Sequence, residues 1–280
     1  MLIGRGDLEE LAKNKVVLKR CLVAIIFVPI FVLVILCNHQ LFFLVLTCSI
    51  IGWALYEFFR AVADKKDKSV SLYNISLGIL IPLLFFFAGE RAIPLVLTVI
   101  IFLVFLHQFF LLRISRVMTD ISFSLTGILY VSFLLSYLIL LRATPGMGKW
   151  LVLTTFFITW MGDSGAYFVG KMWGRHRFFS TLSAHKTVEG LMGAISLSLA
   201  GALISCWWFP LPWYHILALG GLGGVMGQLG DFFESMLKRG LGIKDFGKFL
   251  PGHGGVLDRF DSIIFVAPFF YYYYQLFIAA

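Results

Sequence analysis

AIPLVLTVIIFLVFLHQFFLL, residues Ala92 to Leu112, is a run of 21 residues without a single Asp, Glu, Lys or Arg. A helix of about 20 apolar residues covers a hydrocarbon layer of about 30 Å, so this stretch reads as a membrane crossing. Working outward, Ser69–Gly89 and Ile121–Leu141 are uncharged runs of the same 21-residue length. Between Arg20 and Glu57 lie 36 uncharged residues, too many for one crossing, and Asn38-His39-Gln40 divides them into two. Trp150–Gly162 offers only 13 before Asp163, so the sixth helix must carry a charge near one end. Gly190–Gly230 offers 41, interrupted at Phe209-Pro210-Leu211-Pro212-Trp213, and Ser262–Ala280 closes the chain with 19. The expectation is an all-α, polytopic integral membrane protein of about nine transmembrane helices.

Composition excludes the other broad classes. The 280 residues are 60% hydrophobic and 14% charged, against about 45–50% and about 25% in ordinary soluble domains. A soluble globule could not hide that excess, and disordered chains are polar and poor in aromatics. The net charge of +8 is not read as a nucleic-acid footprint, because in a membrane protein basic residues report orientation. With the N-terminus inside and the crossings alternating, 20 Lys and Arg fall on the cytosolic side and only Arg91, Arg142 and Lys149 outside. That bias places the N-terminus in the cytosol and the C-terminus outside. In a bacterial cell the protein would be a multi-pass protein of the inner (cytoplasmic) membrane. Met1–Lys15 reads as a cytosolic arm, since no small-residue cleavage site follows the first apolar stretch. Cys21, Cys37, Cys48 and Cys206 are scattered without paired spacing and read as small apolar packers.

The chain divides by character into 1–149, five plain apolar helices with the short arm, and 150–280, a functional region. Nineteen of the 27 glycines lie between Gly162 and Gly255. Gly220, Gly223, Gly224 and Gly227 form two overlapping small-residue repeats, the pattern of a helix packed closely on its neighbours.

Three polar clusters interrupt this region. Asp163 lies in Gly162-Asp163-Ser164-Gly165; a carboxylate at membrane depth costs about 2.5–3.5 kcal/mol on insertion scales, so it should face a cavity, a partner or the interface. Ser183-Ala184-His185-Lys186-Thr187 leads into the seventh helix, with Thr187 as N-cap and Lys186 where a phosphate at a helix start would be held. The third cluster, Asp231 to Asp261, is the most informative. Asp231, Ser235 and Lys238 share a helix face, and Asp258 and Asp261, three apart, project from neighbouring positions at the start of the last helix. Carboxylates gathered beside lipid repel unless a cation lies between them, and oxygen ligands without a Cys or His pair favour magnesium. Lys238, Arg239, Lys244 and Arg259 around such a cation suit a polyphosphate. This layout fits phosphoryl or nucleotidyl transfer without a protein nucleophile. Gly242–Lys248 resembles part of a Walker-type loop, but Phe249 stands where Ser or Thr should follow. His253 lies in a glycine-rich loop suited to meeting phosphate.

Ser235-Met236-Leu237-Lys238-Arg239, four residues, Lys244-Asp245, then Leu250-Pro251-Gly252-His253-Gly254-Gly255-Val256-Leu257-Asp258-Arg259-Phe260-Asp261 resembles the signature of phosphatidate cytidylyltransferases (CDP-diacylglycerol synthases) without departure across its 27 residues. The resemblance covers roughly Met161 to Asp261. It departs in one place: the family usually reads Ser-Pro-Lys-Lys-Thr, where this chain has Ala184 and His185 before Lys186.

The resemblance implies an all-helical membrane homodimer that transfers the cytidylyl group of CTP to phosphatidic acid, requires Mg2+, with a second metal or a monovalent cation left open, and works at the cytosolic face. Carried over residue by residue, it makes Asp231, Asp258 and Asp261 the metal candidates. Lys186, Lys238, Arg239 and Lys244 would hold the triphosphate and the lipid phosphate. Ser235, Asp245, His253 and Arg259 would shape the pocket, with Asp163 nearby. The rivals are a transporter, whose site should sit near the bilayer midplane, and a CTP-dependent lipid-alcohol kinase or a cytidylyltransferase for another lipid phosphate, which share the chemistry.

Overall fold

A computed structural model describes residues 27–62, 68–177, 186–247 and 254–279. The expected N-terminal arm lies outside them, as do Cys21, Ala184, His185, Lys248 and His253. Among the described residues the chain is all-helical with no strand; an isolated bridge joins Arg177 to Thr187. In chain order the helices are α1 (Phe27–Leu36), α2 (Gln40–Val62), α3 (Lys68–Ala88) and α4 (Ala92–Leu111). Then come α5 (Val117–Leu125), a π-helical stretch Thr126–Phe133, α6 (Leu134–Ala143) and α7 (Gly148–Trp173). The chain closes with α8 (Val188–Ser205), α9 (Trp213–Gly240) and α10 (Leu257–Phe277).

α4 shows how an almost wholly apolar sequence still chooses a face. Its buried residues, Ala92, Val96, Ile100, Val104 and Gln108, recur every fourth position, while Leu95, Phe102, Phe105 and Phe109 are exposed. One stripe meets protein and the rest is left for lipid. The segment Ile114–Ala143 is 78% buried across its most apolar window, against 22% for Leu72–Leu111. α5 and α6 with their π-helical middle therefore form a central pillar, and α3 and α4 lie at the periphery.

Five stretches among the described residues are long and apolar enough to cross a membrane: Gln40–Val62, Leu72–Leu111, Ile114–Ala143, Val188–Ser205 and Trp213–Gly240. The difference from about nine has visible causes. α3 and α4 run together as one 40-residue stretch, only ten residues of α1 are described, and α7 and α10 dilute their apolar runs with Asp163 and with Tyr271–Tyr274.

The glycines of the C-terminal helices are close-approach sites. A Cβ added at Gly165 of α7 would run into the carbonyl oxygen of Gly193 on α8. On α9, a Cβ at Gly220 would lie 2.8 Å from Leu199 Cα, and one at Gly224 would lie 2.9 Å from Ser198 Cβ. The stripe expected from sequence thus seats α9 against α8, and Gly223 faces Phe270 of α10. No disulfide forms among the described residues, and Cys37, Cys48 and Cys206 are free thiols packed in the bundle.

Candidate active site

Tight packing brings the polar ends of α7, α8, α9 and α10 around a cavity of about 420 Å³. Thr187 starts α8 as expected: it has extended backbone, and its hydroxyl accepts the Gly190 N–H at 3.1 Å. That cap fixes Lys186, immediately before the helix, over α9. The Lys186 ammonium lies 2.9 Å from Asp231 Oδ1, donates to Ser235 Oγ at 3.2 Å, and sits 4.2 Å above the Phe232 ring. Asp231 and Ser235, one helical turn apart, therefore share one cation.

One turn further along α9, Lys238 bridges two carboxylates. It pairs with Glu234 on its own helix and, at 3.0 Å, with Asp258 Oδ1 on α10. Asp258 also accepts the Gly255 N–H at 2.7 Å and the Phe246 N–H at 3.2 Å. Burial alone would raise its pKa, but the Lys238 ammonium and these backbone donors outweigh that and hold it below the usual carboxylate range. Asp261, one turn into α10, accepts the Ser262 N–H at 2.7 Å, and the Ser262 hydroxyl donates to Asp163 Oδ1 at 3.2 Å.

Of the residues singled out in the sequence, Asp163, Lys186, Asp231, Lys238, Asp245, Asp258, Arg259 and Asp261 all line the cavity. Ser235 stands behind Lys186. Arg239 and Lys244 do not line it: both are exposed, and Arg239 donates to the Ile243 carbonyl at 3.4 Å. His253 lies outside the described residues. The expected trio Asp231, Asp258 and Asp261 is not drawn together, because Asp258 is turned onto Lys238 and backbone N–H groups. Among the described residues no group of three or more His, Cys, Asp or Glu is gathered for a metal ion.

The donor set nevertheless fits a divalent cation shared with a substrate. Five carboxyl groups line the cavity (Asp163, Asp231, Asp245, Asp258 and Asp261) beside three basic side chains (Lys186, Lys238 and Arg259). Mg2+ is commonly held by one or two carboxylates plus substrate phosphates. Asp231 and Asp261, which both line the cavity, are the residues that would hold it.

A model described as the cytidylyltransferase family matches residues 18–277. The chain belongs to that family. It is similar to the phosphatidate cytidylyltransferase of Bacillus subtilis (strain 168), 35% identical over 233 residues that cover 80% of this chain and 85% of that protein. The protein of the same name from a Synechocystis species is 38% identical over 185 residues, covering 56% of this chain and 63% of its own length. That of Staphylococcus aureus (strain N315) is 40% identical over 153 residues, covering 53% and 57%. This chain is thus a membrane enzyme of the cytidylyltransferase type, and the family resemblance drawn from the C-terminal signature holds. The family match also takes in the apolar helices before Met161.

Two residues of the site region escaped the sequence reading. Glu234 is fully buried and holds Lys238 from below. Its signal was present, since it stands three after Asp231 and four before Lys238 on the same face. Glu57 on α2 is 3% exposed and accepts the Leu257 N–H at 3.0 Å. Nothing in the sequence pointed across 200 residues to that partner.

Proposed function

We propose that this cavity transfers the cytidylyl group of CTP to phosphatidic acid, giving CDP-diacylglycerol and pyrophosphate. The observation that carries the reading is Lys186, Lys238 and Arg259 set around Asp231 and Asp261 in one cavity of a cytidylyltransferase-family chain. The lipid acceptor is taken from the printed names of the relatives.

The chemistry asks little covalent work of the protein. An oxygen of the lipid phosphate attacks the alpha-phosphorus of CTP, the bond from that phosphorus to the bridging oxygen breaks, and pyrophosphate leaves. A phosphate monoester has its second pKa near about 6, so the attacking group needs no general base. Lys186 and Arg259 donate charge-assisted hydrogen bonds to phosphate oxygens. Lys238, fixed between Glu234 and Asp258, holds α9 to α10 so that Asp231 and Asp261 keep their spacing. Asp231 and Asp261, with Asp258 behind them, would hold magnesium, which neutralises the triphosphate and the departing pyrophosphate. Asp245 and Asp163 border the cavity. Nine crossings with a cytosolic N-terminus put the cavity on the CTP-containing side, the C-terminal region 150–280 carries the catalytic side chains, and two copies pair as a dimer.

The test uses purified protein in detergent, CTP, magnesium and a choice of acceptors, with no ion gradient present. Lipid-extractable CDP-diacylglycerol formed from phosphatidic acid supports the reading. A phosphorylated lipid alcohol in its place would make the protein a CTP-dependent lipid kinase.

A further inference from the structure

Glu57 lies on α2, in the half of the molecule that contributes no residue to the cavity lining. Its carboxylate is buried at 3% exposure, receives the Leu257 N–H at 3.0 Å, and faces the Val256 N–H. Those two amides are the start of α10, where unpaired N–H groups and the helix dipole favour an anion. The surroundings are fitted to it. A Cβ added at Gly247 would run into Glu57 Oε1, and one added at Gly255 would run into Oε2. The next residue of α2, Phe58, is fully buried and its ring lies 5.8 Å from that of Phe246.

Glu57 therefore touches both arms of the α9–α10 connection, Gly247 on one side and Gly255–Leu257 on the other. Asp258 takes the neighbouring amides of the same two arms, Phe246 and Gly255. Two carboxylates, one from each half of the molecule, divide the backbone donors at the mouth of this connection. Asp258, Arg259 and Asp261 all follow within one turn and line the cavity.

We propose that Glu57 is a positioning residue for the transferase site. It anchors the start of α10, and through α10 it sets where Asp258, Arg259 and Asp261 stand relative to α9. The inference deepens the function proposed above and rests on it for the activity readout. The first half of the chain then does more than anchor: α2 delivers one buried carboxyl group that orders the two arms of the connection. Gly247 and Gly255 are glycines because that carboxylate occupies the space a Cβ would need.

The experiment uses the full chain in nanodiscs, with turnover kinetics and amide hydrogen exchange on wild type, Glu57→Gln, Glu57→Ala, Gly247→Ala and the Glu57→Ala/Gly247→Ala double variant. Misplacing catalytic groups by about 1 Å can cost on the order of a hundredfold in rate. The expected result is a fall in kcat of tens- to a hundredfold in Glu57→Ala with little change in the KM for lipid, and partial rescue by Glu57→Gln, which keeps an acceptor. Faster exchange should appear at residues 244–247 and 254–258, with α7 and α8 unchanged. Gly247→Ala should damage wild type but add little to Glu57→Ala, because the carboxylate it displaces is already gone. Wild-type kcat together with wild-type exchange in Glu57→Ala would overturn the proposal, and so would additive losses in the double variant. If wild-type protein forms no CDP-diacylglycerol, the proposed reaction fails, while the exchange arm still decides whether Glu57 orders the connection.

Discussion

Within α2–α6 the helices are spaced by large side chains, with Phe58, Phe85, Ile128 and Leu135 all fully buried. Within α7–α10 Gly165, Gly193 and Gly220 bring one helix onto the backbone of the next, and Gly224 seats the Ser198 side chain. Lipid gives no hydrophobic drive for one helix to prefer another, so both halves must be held by packing and polar contacts. Large side chains fill the first half, and its Gly78 and Gly127 are packed by Leu55, Phe58 and Phe59 side chains. Glycines let the second half close tightly enough for side chains from four helices to share one cavity. The comparison teaches that the glycine content of the C-terminal region prepares a site as well as a fold.

The contrast can be broken most severely at Lys238. Replacing it, as in Lys238→Met, leaves Glu234 buried and Asp258 without its ammonium, and breaking a buried ion pair from one side costs about 3–5 kcal/mol. Thermal unfolding in detergent should show that loss, with turnover abolished. Next comes Asp261→Asn, which keeps shape and removes charge. Turnover should fall by about 10²–10³, the range for losing one preorganised electrostatic contact, while the unfolding midpoint stays near wild type. A midpoint drop as large as that of Lys238→Met would make Asp261 structural.

Glycine substitutions sharpen the comparison directly. Gly165→Ala should cost about 1–3 kcal/mol by forcing α7 from α8, and should lower turnover too, since Asp163 stands on α7 and Lys186 immediately precedes α8. Gly52→Ala, in α2, meets only Ile79 Cδ1 at 3.4 Å and should be neutral or stabilising by up to about 1 kcal/mol. Equal effects at the two positions would remove the distinction between the halves. The smallest effect belongs to His176→Ala. Glu189 accepts the Arg175 and His176 amides, and His176 Nδ1 lies 2.5 Å from its Oε1, but the imidazole is 80% exposed. Its loss should cost no more than about 1 kcal/mol, read as a slight shift in unfolding midpoint.

The sequence made some of this legible and concealed the rest for physical reasons. Uncharged runs announced the helices, since each is long and locally uniform. Their number was harder to fix, because Asp163 and the tyrosines of α10 blur the apolar signal where function intrudes. The Ser235–Asp261 signature disclosed the cavity because its residues lie on two helices that are consecutive in the chain. Glu234 was overlooked as one more charge on a crowded face. Glu57 could not be found at all: its partners are backbone amides, and an amide leaves no trace in residue identity. The expected carboxylate trio differed for a related reason, since the N–H donors of Gly255 and Phe246 that claim Asp258 are invisible in sequence.

The fate of label from CTP tests the central claim most directly. The full-length protein would be given phosphatidic acid, magnesium and CTP labelled on the alpha-phosphate in one reaction and on the gamma-phosphate in another. The expected result is alpha label in the lipid extract as CDP-diacylglycerol and gamma label released as pyrophosphate, both formed about 10²–10³-fold more slowly in Asp261→Asn. Gamma label appearing in the lipid, or alpha label remaining wholly in soluble nucleotide, would contradict it.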